Sequence, residues 1–362
     1  MTRVRVPVLA LAMLVASVTL SAPRAALAFT YSKSFDIVLV HGYAPFNCPG
    51  TNVSSDWQPL KTDLGEDGWT GVVHEVGYYS CDAGVPAGDY VDGHHRPGAS
   101  AHGEYFAECG ANSEFPDCQA GGWKSHEASA NEGATSHNRN TDIRHLAYHL
   151  AWYLYDQFTS RGRNVQVVAY SMGGLVARWA LFATQDHSAG TDPATGRYVF
   201  PPSLLVHNVV TMGTPHNGAF LAYLRGLSPS VQADEMTPGS NFLNQIHGNG
   251  APQAAQGTDW TAIGAEDTGF SGDEVVASRS AIDVSGAGVH RIVYYSPLII
   301  HVGSTTYANQ TGEAWNATIC YGNPSPLARA ANVPNVGSMV DRALFGTQQA
   351  WPLTGGSCPL SG

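Results

Sequence analysis

The run Val165-Gln166-Val167-Val168-Ala169-Tyr170-Ser171-Met172-Gly173-Gly174 constrains this chain more than any other stretch. Val165 to Ala169 is rich in β-branched side chains and reads as a strand, and Gly173 to Phe182 carries the apolar spacing of a helix. The chain must therefore pass from strand to helix in a very tight turn, with Ser171 at its apex. A serine so placed has a strained backbone that lifts its hydroxyl above the sheet. Small neighbours are needed because strand and helix approach closely there. The N–H groups and dipole of the helix start then lie beside the hydroxyl. An ordinary small-residue turn is the competing reading, and the strand before and helix behind argue against it.

The rest of the chain repeats the same alternation. Asp36 to Val40 is a strand ending at His41-Gly42, and Val72 to Tyr78 is a weaker one. Ile143, Leu146, Ala147, Leu150, Ala151, Leu154 and Phe158 recur at helical spacing behind a possible N-cap at Thr141. Leu204 to Met212, Trp260 to Gly264 and Val289 to Tyr295 are further strands. Nearly all-apolar strands alternating with helices predict an α/β fold with a mainly parallel sheet covered on both faces. Two stretches break the pattern. Residues 80–140 are rich in Gly, Ala, Ser, Asn and His, and read as an insertion. Residues 217–256 carry Phe220, Leu221, Tyr223, Leu224, Phe242 and Leu243, and read as a partly helical excursion over the sheet rather than a core layer.

The Ala-x-Ser-x-Gly turn resembles the nucleophile elbow of α/β-hydrolases, in particular secreted bacterial lipases of the Bacillus-type, class 2 group. Ala169 stands where the wider pattern has Gly. The resemblance extends to Leu39-Val40-His41-Gly42-Tyr43, to Gly213-Thr214-Pro215-His216-Asn217-Gly218 and to Met236-Thr237-Pro238-Gly239-Ser240-Asn241-Phe242-Leu243, over roughly 36–305. The 80–140 insertion is longer than the family's usual segment. A serine hydroxyl becomes a strong nucleophile only when a histidine takes its proton and a carboxylate orients the histidine. The chain order in this fold is Ser, acid, His. Asp273, in Gly272-Asp273-Glu274-Val275-Val276, resembles the family's acid, with Asp267 and Asp283 as alternatives. His301, in His301-Val302-Gly303-Ser304, resembles its base. His290 opens a strand at the wrong end, and His216 precedes the acid and is given a structural role. The oxyanion hole is expected from the backbone N–H groups of Tyr43 and Met172. The resemblance implies a serine ester hydrolase, with a lipase acting on acylglycerols as the leading expectation. A short-chain esterase, a polyester depolymerase, a peptidase or thioesterase, and a non-catalytic binding protein are the rivals. The 217–256 segment is the candidate acyl-binding wall or lid.

Composition sets the remaining bounds. Charged residues are 13% of the chain, against roughly 25% in an average soluble protein. Eight Trp, 16 Tyr and 12 Phe exclude a disordered acidic tail. A net charge of −11 disfavours nucleic acid as a partner. Arg3 and Arg5, the apolar stretch Val6 to Leu20, and Ala26-Leu27-Ala28 read as a secretory signal cleaved after residue 28. Its loss removes three arginines and brings the net charge to −14, leaving one hydrolase domain over 29–362. No later segment is long and apolar enough to span a bilayer. Six cysteines suggest three disulfides; proximity favours Cys109–Cys118, Cys320–Cys358 would pin the tail, and Cys48–Cys81 would join two early loops. His94, His95, His102, His126 and His137 stand in the insertion beside Asp89, Asp92 and Glu104. With no pair read at tight ligand spacing, they are taken as a solvated loop. No metal or cofactor is expected, the partner is an ester or lipid substrate, and the chain is expected to be a monomer.

Overall fold

The computed structural model describes residues 32–44, 53–79, 82–86, 88–99, 137, 139, 141–193, 195–220, 230–266, 272–285, 289–295, 301, 315–321, 328–333 and 336–345. The expected signal segment and most of the insertion fall outside these residues. So do the three cysteine pairings, apart from Cys320 in a late strand.

Among the described residues, eight strands form the main sheet: β1 (Asp36–Val40), β2 (Val73–Val76), β3 (Val165–Tyr170), β4 (Val206–Met212), β5 (Asp259–Glu266), β6 (Val289–Tyr295), β7 (Trp315–Tyr321) and β8 (Ala328–Val333). Their spatial order is β8-β7-β6-β5-β4-β3-β1-β2. The strands from β2 to β6 are parallel, and β7 and β8 add an antiparallel edge. Side chains alternate across the pleat. Ile37 and Leu39 pack with Trp57, Leu60 and Leu64 of helix α1 (Val53–Glu66) and with Met339 and Val340 of the last helix, Val336–Leu344. Val38 and Val40 pack on the opposite face with Leu150 of α2 (Ile143–Gln157) and Val176 of α3 (Met172–Gln185). Both faces are covered, which is why the strands read as almost unbroken apolar runs. Each such side chain fully buried stabilises the fold by about 1.5–3 kcal/mol. Pairing slips between Val165↔Val206 and Gln166↔Asn208, so the extra residue, His207, forms a bulge. That is how Val206 and Val209 come to lie in the same core cluster. This architecture is the α/β-hydrolase fold.

Element ends shift from their sequence expectations. Tyr170 still belongs to β3, β4 starts only at Val206, β5 is longer at both ends, and β6 is as predicted. Helix α2 is capped by Asp142 rather than Thr141; its side chain accepts the Arg144 N–H at 2.7 Å. The segment 217–256 is corrected more substantially. Its described part holds α4 (Val231–Glu235) and α5 (Asn241–His247), and Phe242 and Leu243 lie buried in the main core. Phe242 meets Trp179 of α3 at 5.4 Å between ring centroids. The buried Arg144 guanidinium lies over both rings, donates to Asp142 at 3.1 Å and to Gln245 at 3.0 Å, and reaches Glu235 at 3.5 Å. Burial and the Asp142 charge push the Glu235 carboxyl well above its ordinary value. A polar knot thus clamps α4 and α5 onto α2 and α3, so these two helices are part of a core layer and not of an excursion. Residues 221–229 lie outside the described set. No helix among the described residues is long and apolar enough to cross a membrane.

In the sheet, β2 and β3 flank β1 on opposite sides, so a crevice opens at the carboxyl ends of β1 and β3. The chain leaving β1 there is braced by groups distant in sequence. The His41 ring stacks on Tyr78 at 4.0 Å, with Nε2 2.9 Å from Asp82 Oδ2 and Nδ1 2.9 Å from the Gly42 carbonyl. Both ring nitrogens face oxygen acceptors, an arrangement that suits a protonated imidazole. The same Asp82 oxygen accepts the N–H groups of Tyr78 and Tyr79 at 2.7 and 2.8 Å. The Tyr78 hydroxyl donates to the His41 and Gly42 carbonyls. Burial opposes the Asp82 charge, yet the His41 ring and the two N–H donors outweigh it and hold the carboxyl below its ordinary 3.8. Its stabilisation is therefore complete above that value and is lost as pH falls through the lower folded value. Asp82→Asn should cost about 3–5 kcal/mol at pH 7. Urea midpoints measured from pH 7 down to pH 3 should fall less steeply in the variant than in the parent; parallel curves would refute the brace.

Candidate active site

Ser171 sits directly after β3 with φ 52° and ψ −132°, a left-handed conformation unusual for a side chain other than glycine. Its N–H donates to the Met212 carbonyl at 2.9 Å, tying the turn to the end of β4. Serine at a helix start usually caps it with its hydroxyl. Here the side chain makes no cap; Oγ lies 2.8 Å from His301 Nε2. The conformation is held by close backbone approach. A Cβ on Gly42 would lie 2.7 Å from Ser171 Cβ, and one on Gly173 would lie 2.2 Å from the His41 carbonyl. No side chain fits at either position, so the chain leaving β1 presses against the serine at Gly42 and against the start of α3 at Gly173.

His301 Nδ1 lies 2.9 Å from Asp273 Oδ2. The acceptor-only carboxylate places the ring proton on Nδ1 and leaves the Nε2 lone pair toward the serine hydroxyl. The other Asp273 oxygen accepts the N–H groups of Val276 at 2.8 Å and Val275 at 3.3 Å. This loop is tight: Glu274 has φ 76°, and Asp273 N–H donates to the Val276 carbonyl at 3.1 Å. The His301 N–H donates to the Asp273 carbonyl at 3.2 Å, and the Tyr170 hydroxyl donates to the His301 carbonyl. Ser171, Asp273 and His301 are all buried. The result is one line of hydrogen bonds from carboxylate through imidazole to hydroxyl, able to move the hydroxyl proton onto nitrogen as oxygen attacks an electrophile. Met172, the first residue of α3, is buried, and Tyr43 follows Gly42 at the end of β1. The Tyr43 hydroxyl lies 2.8 Å from Ser230 Oγ, and burial raises its phenol above the ordinary value.

The alternatives are placed elsewhere. Asp283 lies 3.6 Å from His247, and Asp267 is outside the described residues. His290 lies 3.6 Å from Asp259 and is pushed down to about 3 by burial and then by Arg291. His216 is fully buried beside β4, with Nε2 3.1 Å from Thr211 Oγ1 and Nδ1 3.5 Å from Arg178; burial and Arg178 hold it well below the ordinary histidine value. The brace of His41, Tyr78, Tyr79 and Asp82, and the Tyr170 bond to His301, went unread in the sequence. Only His41-Gly42 after an apolar strand pointed toward the brace.

One histidine of the insertion, His137, is not solvated. His137 is buried and meets His145 and His149 of α2, which stand four residues apart on the helix that the periodicity predicts. The insertion's own histidines, taken alone in sequence, do not pair His137 with these two of α2.

Residues 124–231 match the family model described as "Putative serine esterase (DUF676)". No curated protein matches the chain in sequence. Solved structures similar to it include the mature form of the Bacillus licheniformis lipase BlEst2, at 15% identity over 69% of this chain and 79% of that one, with a TM-score of 0.37. Aspergillus fumigatus lipase B matches at 14% identity over 74% of this chain and 46% of that one, TM-score 0.38. Phospholipase PlaB from Legionella pneumophila matches at 10% identity over 77% and 56%, TM-score 0.43. The site's geometry and the matched esterase model together support a serine ester hydrolase on an α/β-hydrolase fold.

Proposed function

We propose that the chain is a secreted serine carboxylic-ester hydrolase, a lipase cleaving acylglycerols. The observation that carries the reading is the continuous line Asp273–His301–Ser171, with the hydroxyl freed from helix capping by the left-handed turn. Ser171 Oγ attacks the ester carbonyl carbon as its proton passes to His301 Nε2. Asp273 holds the Nδ1 proton and stabilises the imidazolium. The tetrahedral oxyanion is received by the backbone N–H groups of Tyr43 and Met172; such a donor is worth about 2.7–4 kcal/mol. His301 returns the proton to the leaving alcohol oxygen, giving the acyl-enzyme. Water then attacks with His301 as base, and the carboxylic acid and free serine are released.

Phe220 supports an apolar acyl group. Its N–H donates to the Val275 carbonyl in the acid loop at 2.8 Å, and its ring is an exposed large apolar surface beside the site. On this reading the acyl-binding wall lies at the start of the 217–256 segment and not at its buried helices. Secretion rests on the charged, apolar and small-residue pattern of residues 1–28. A short-chain esterase or polyester depolymerase would use the same chemistry and differ only in what Phe220 and its surroundings accept.

Ser171→Ala should lower kcat on a nitrophenyl ester by roughly 10⁴-fold or more with KM little changed. Asp273→Asn should lower it by about 10⁴-fold through the wrong histidine tautomer. Retention of activity in Ser171→Ala would remove the assignment. Initial rates on nitrophenyl esters from acetate to palmitate should rise toward the longer chains, and Phe220→Ala should depress the long-chain rates more than the acetate rate. A profile peaking at acetate would select the short-chain esterase.

A further inference from the structure

We infer that His137, His145 and His149 form a binding site for a divalent transition ion, zinc by chemistry, which pins the end of the histidine-rich insertion to α2. The two helical histidines lie one turn apart on one face, and His137 meets them from the segment that leads into the helix. His145 Nε2 lies 3.1 Å from His137 Nε2 and 3.1 Å from His149 Nε2. One ligand atom from each ring falls within 4.8 Å of the others, and all three side chains are buried. A tetrahedral zinc bound at about 2.0–2.1 Å spaces its ligand nitrogens about 3.3–3.4 Å apart, so two of the three separations nearly match.

Three neutral imidazoles do not account for this convergence. His149 Nδ1 lies 2.6 Å from the His94 carbonyl, which can only accept, so the neutral ring carries its proton there and presents a lone pair at Nε2. The His145 Nε2 must then supply the hydrogen for the contact with His149. It has no lone pair left to receive one from His137. With three neutral rings, at most one of the two nitrogen–nitrogen contacts is an ordinary hydrogen bond. Burial disfavours adding a charge to an imidazole. A cation shared by the three lone pairs removes the conflict. The carbonyl behind His149 also fixes the ring's tautomer, as an outer partner of a metal-bound histidine does. Three imidazoles suit zinc, copper, nickel or cobalt and not calcium or magnesium, which take oxygen. Zinc is the commitment because it needs no redox partner and accepts three histidines with an open fourth position. The ion would join His137 directly to α2 and, through His149, to the turn at His94. Both ends of the stretch 95–136 would then be fixed at one point.

The test uses the full chain produced without a polyhistidine tag, dialysed against metal-free buffer and assayed for bound metal by elemental analysis. About one zinc per chain is expected in the parent and in Ser171→Ala, and less than about a tenth in His145→Gln and His149→Gln. Because these variants could fold poorly, the parent stripped with a chelator is also titrated with cobalt. A tetrahedral visible absorption band should saturate at one equivalent and disappear on adding zinc. Stripping should lower the parent's Tm on the order of 5 °C, and zinc should restore it. A parent with no bound zinc and no cobalt band would overturn the site, as would histidine variants that keep a full equivalent. The Ser171→Ala result separates this inference from the esterase reading, because metal content is measured independently of turnover.

Discussion

The close approach of the β1 end to the turn at Ser171 is the constraint on which the rest depends. Gly42 and Gly173 leave no room for a Cβ, so the chain leaving β1 lies directly against both the serine and the first turn of α3. That contact requires β1 and β3 to end level, and their register pairs Val40 with Ala169. It also requires the chain beyond β1 to turn sharply away, which the His41 stack on Tyr78 and the Asp82 carboxylate enforce. Parallel strands then deliver the other two groups to the same edge: β5 leads to the Asp273 loop and β6 leads toward His301. Precision at the site comes from the sheet, and the loops only complete it.

Much of this was legible in the sequence because it is local. β6 runs from Val289 to Tyr295 as its apolar run predicts, and Ser171 lies where a strand pattern gives way to a helix pattern. Asp273 and His301 could be singled out because their local strings resemble the acid and histidine loops of α/β-hydrolases in the expected chain order, and the structure brings both into the serine's line of hydrogen bonds. What could not be read are contacts between distant segments. Asp82 has no local pattern; it matters because it receives His41 from across the crevice. Phe242 and Leu243 stand among polar and turn-forming residues, yet they are buried once Arg144 meets Glu235 from another helix. The capping residue moved by one position because Thr141 and Asp142 both suit an N-cap, and only tertiary packing chooses between them.

The buried charges follow a common rule. Arg144, Arg178 and Arg291 are all buried, and each donates to backbone carbonyls or to neighbouring side chains. Guanidinium groups can satisfy several acceptors at once and so tolerate removal from water better than ammonium groups do. They join elements that the apolar core alone would leave free to slide. Arg178 donates to the Gly250 and Ile246 carbonyls at the end of α5 while lying beside His216. The turn at His216 is therefore linked to the helical layer through hydrogen bonds as well as packing. Such networks specify one arrangement more than they add stability.

The torsion at Ser171 has an evolutionary consequence. A positive φ at a residue with a side chain costs on the order of 1–3 kcal/mol, and glycine adopts it freely. The hydroxyl offers the helix no cap in return, so the folded state alone would favour glycine at this position. Drift that selects only for a soluble, well-folded chain would therefore tend to erase the hydroxyl. A paralogue in which glycine stands here would keep the turn at lower cost and would have lost its hydroxyl.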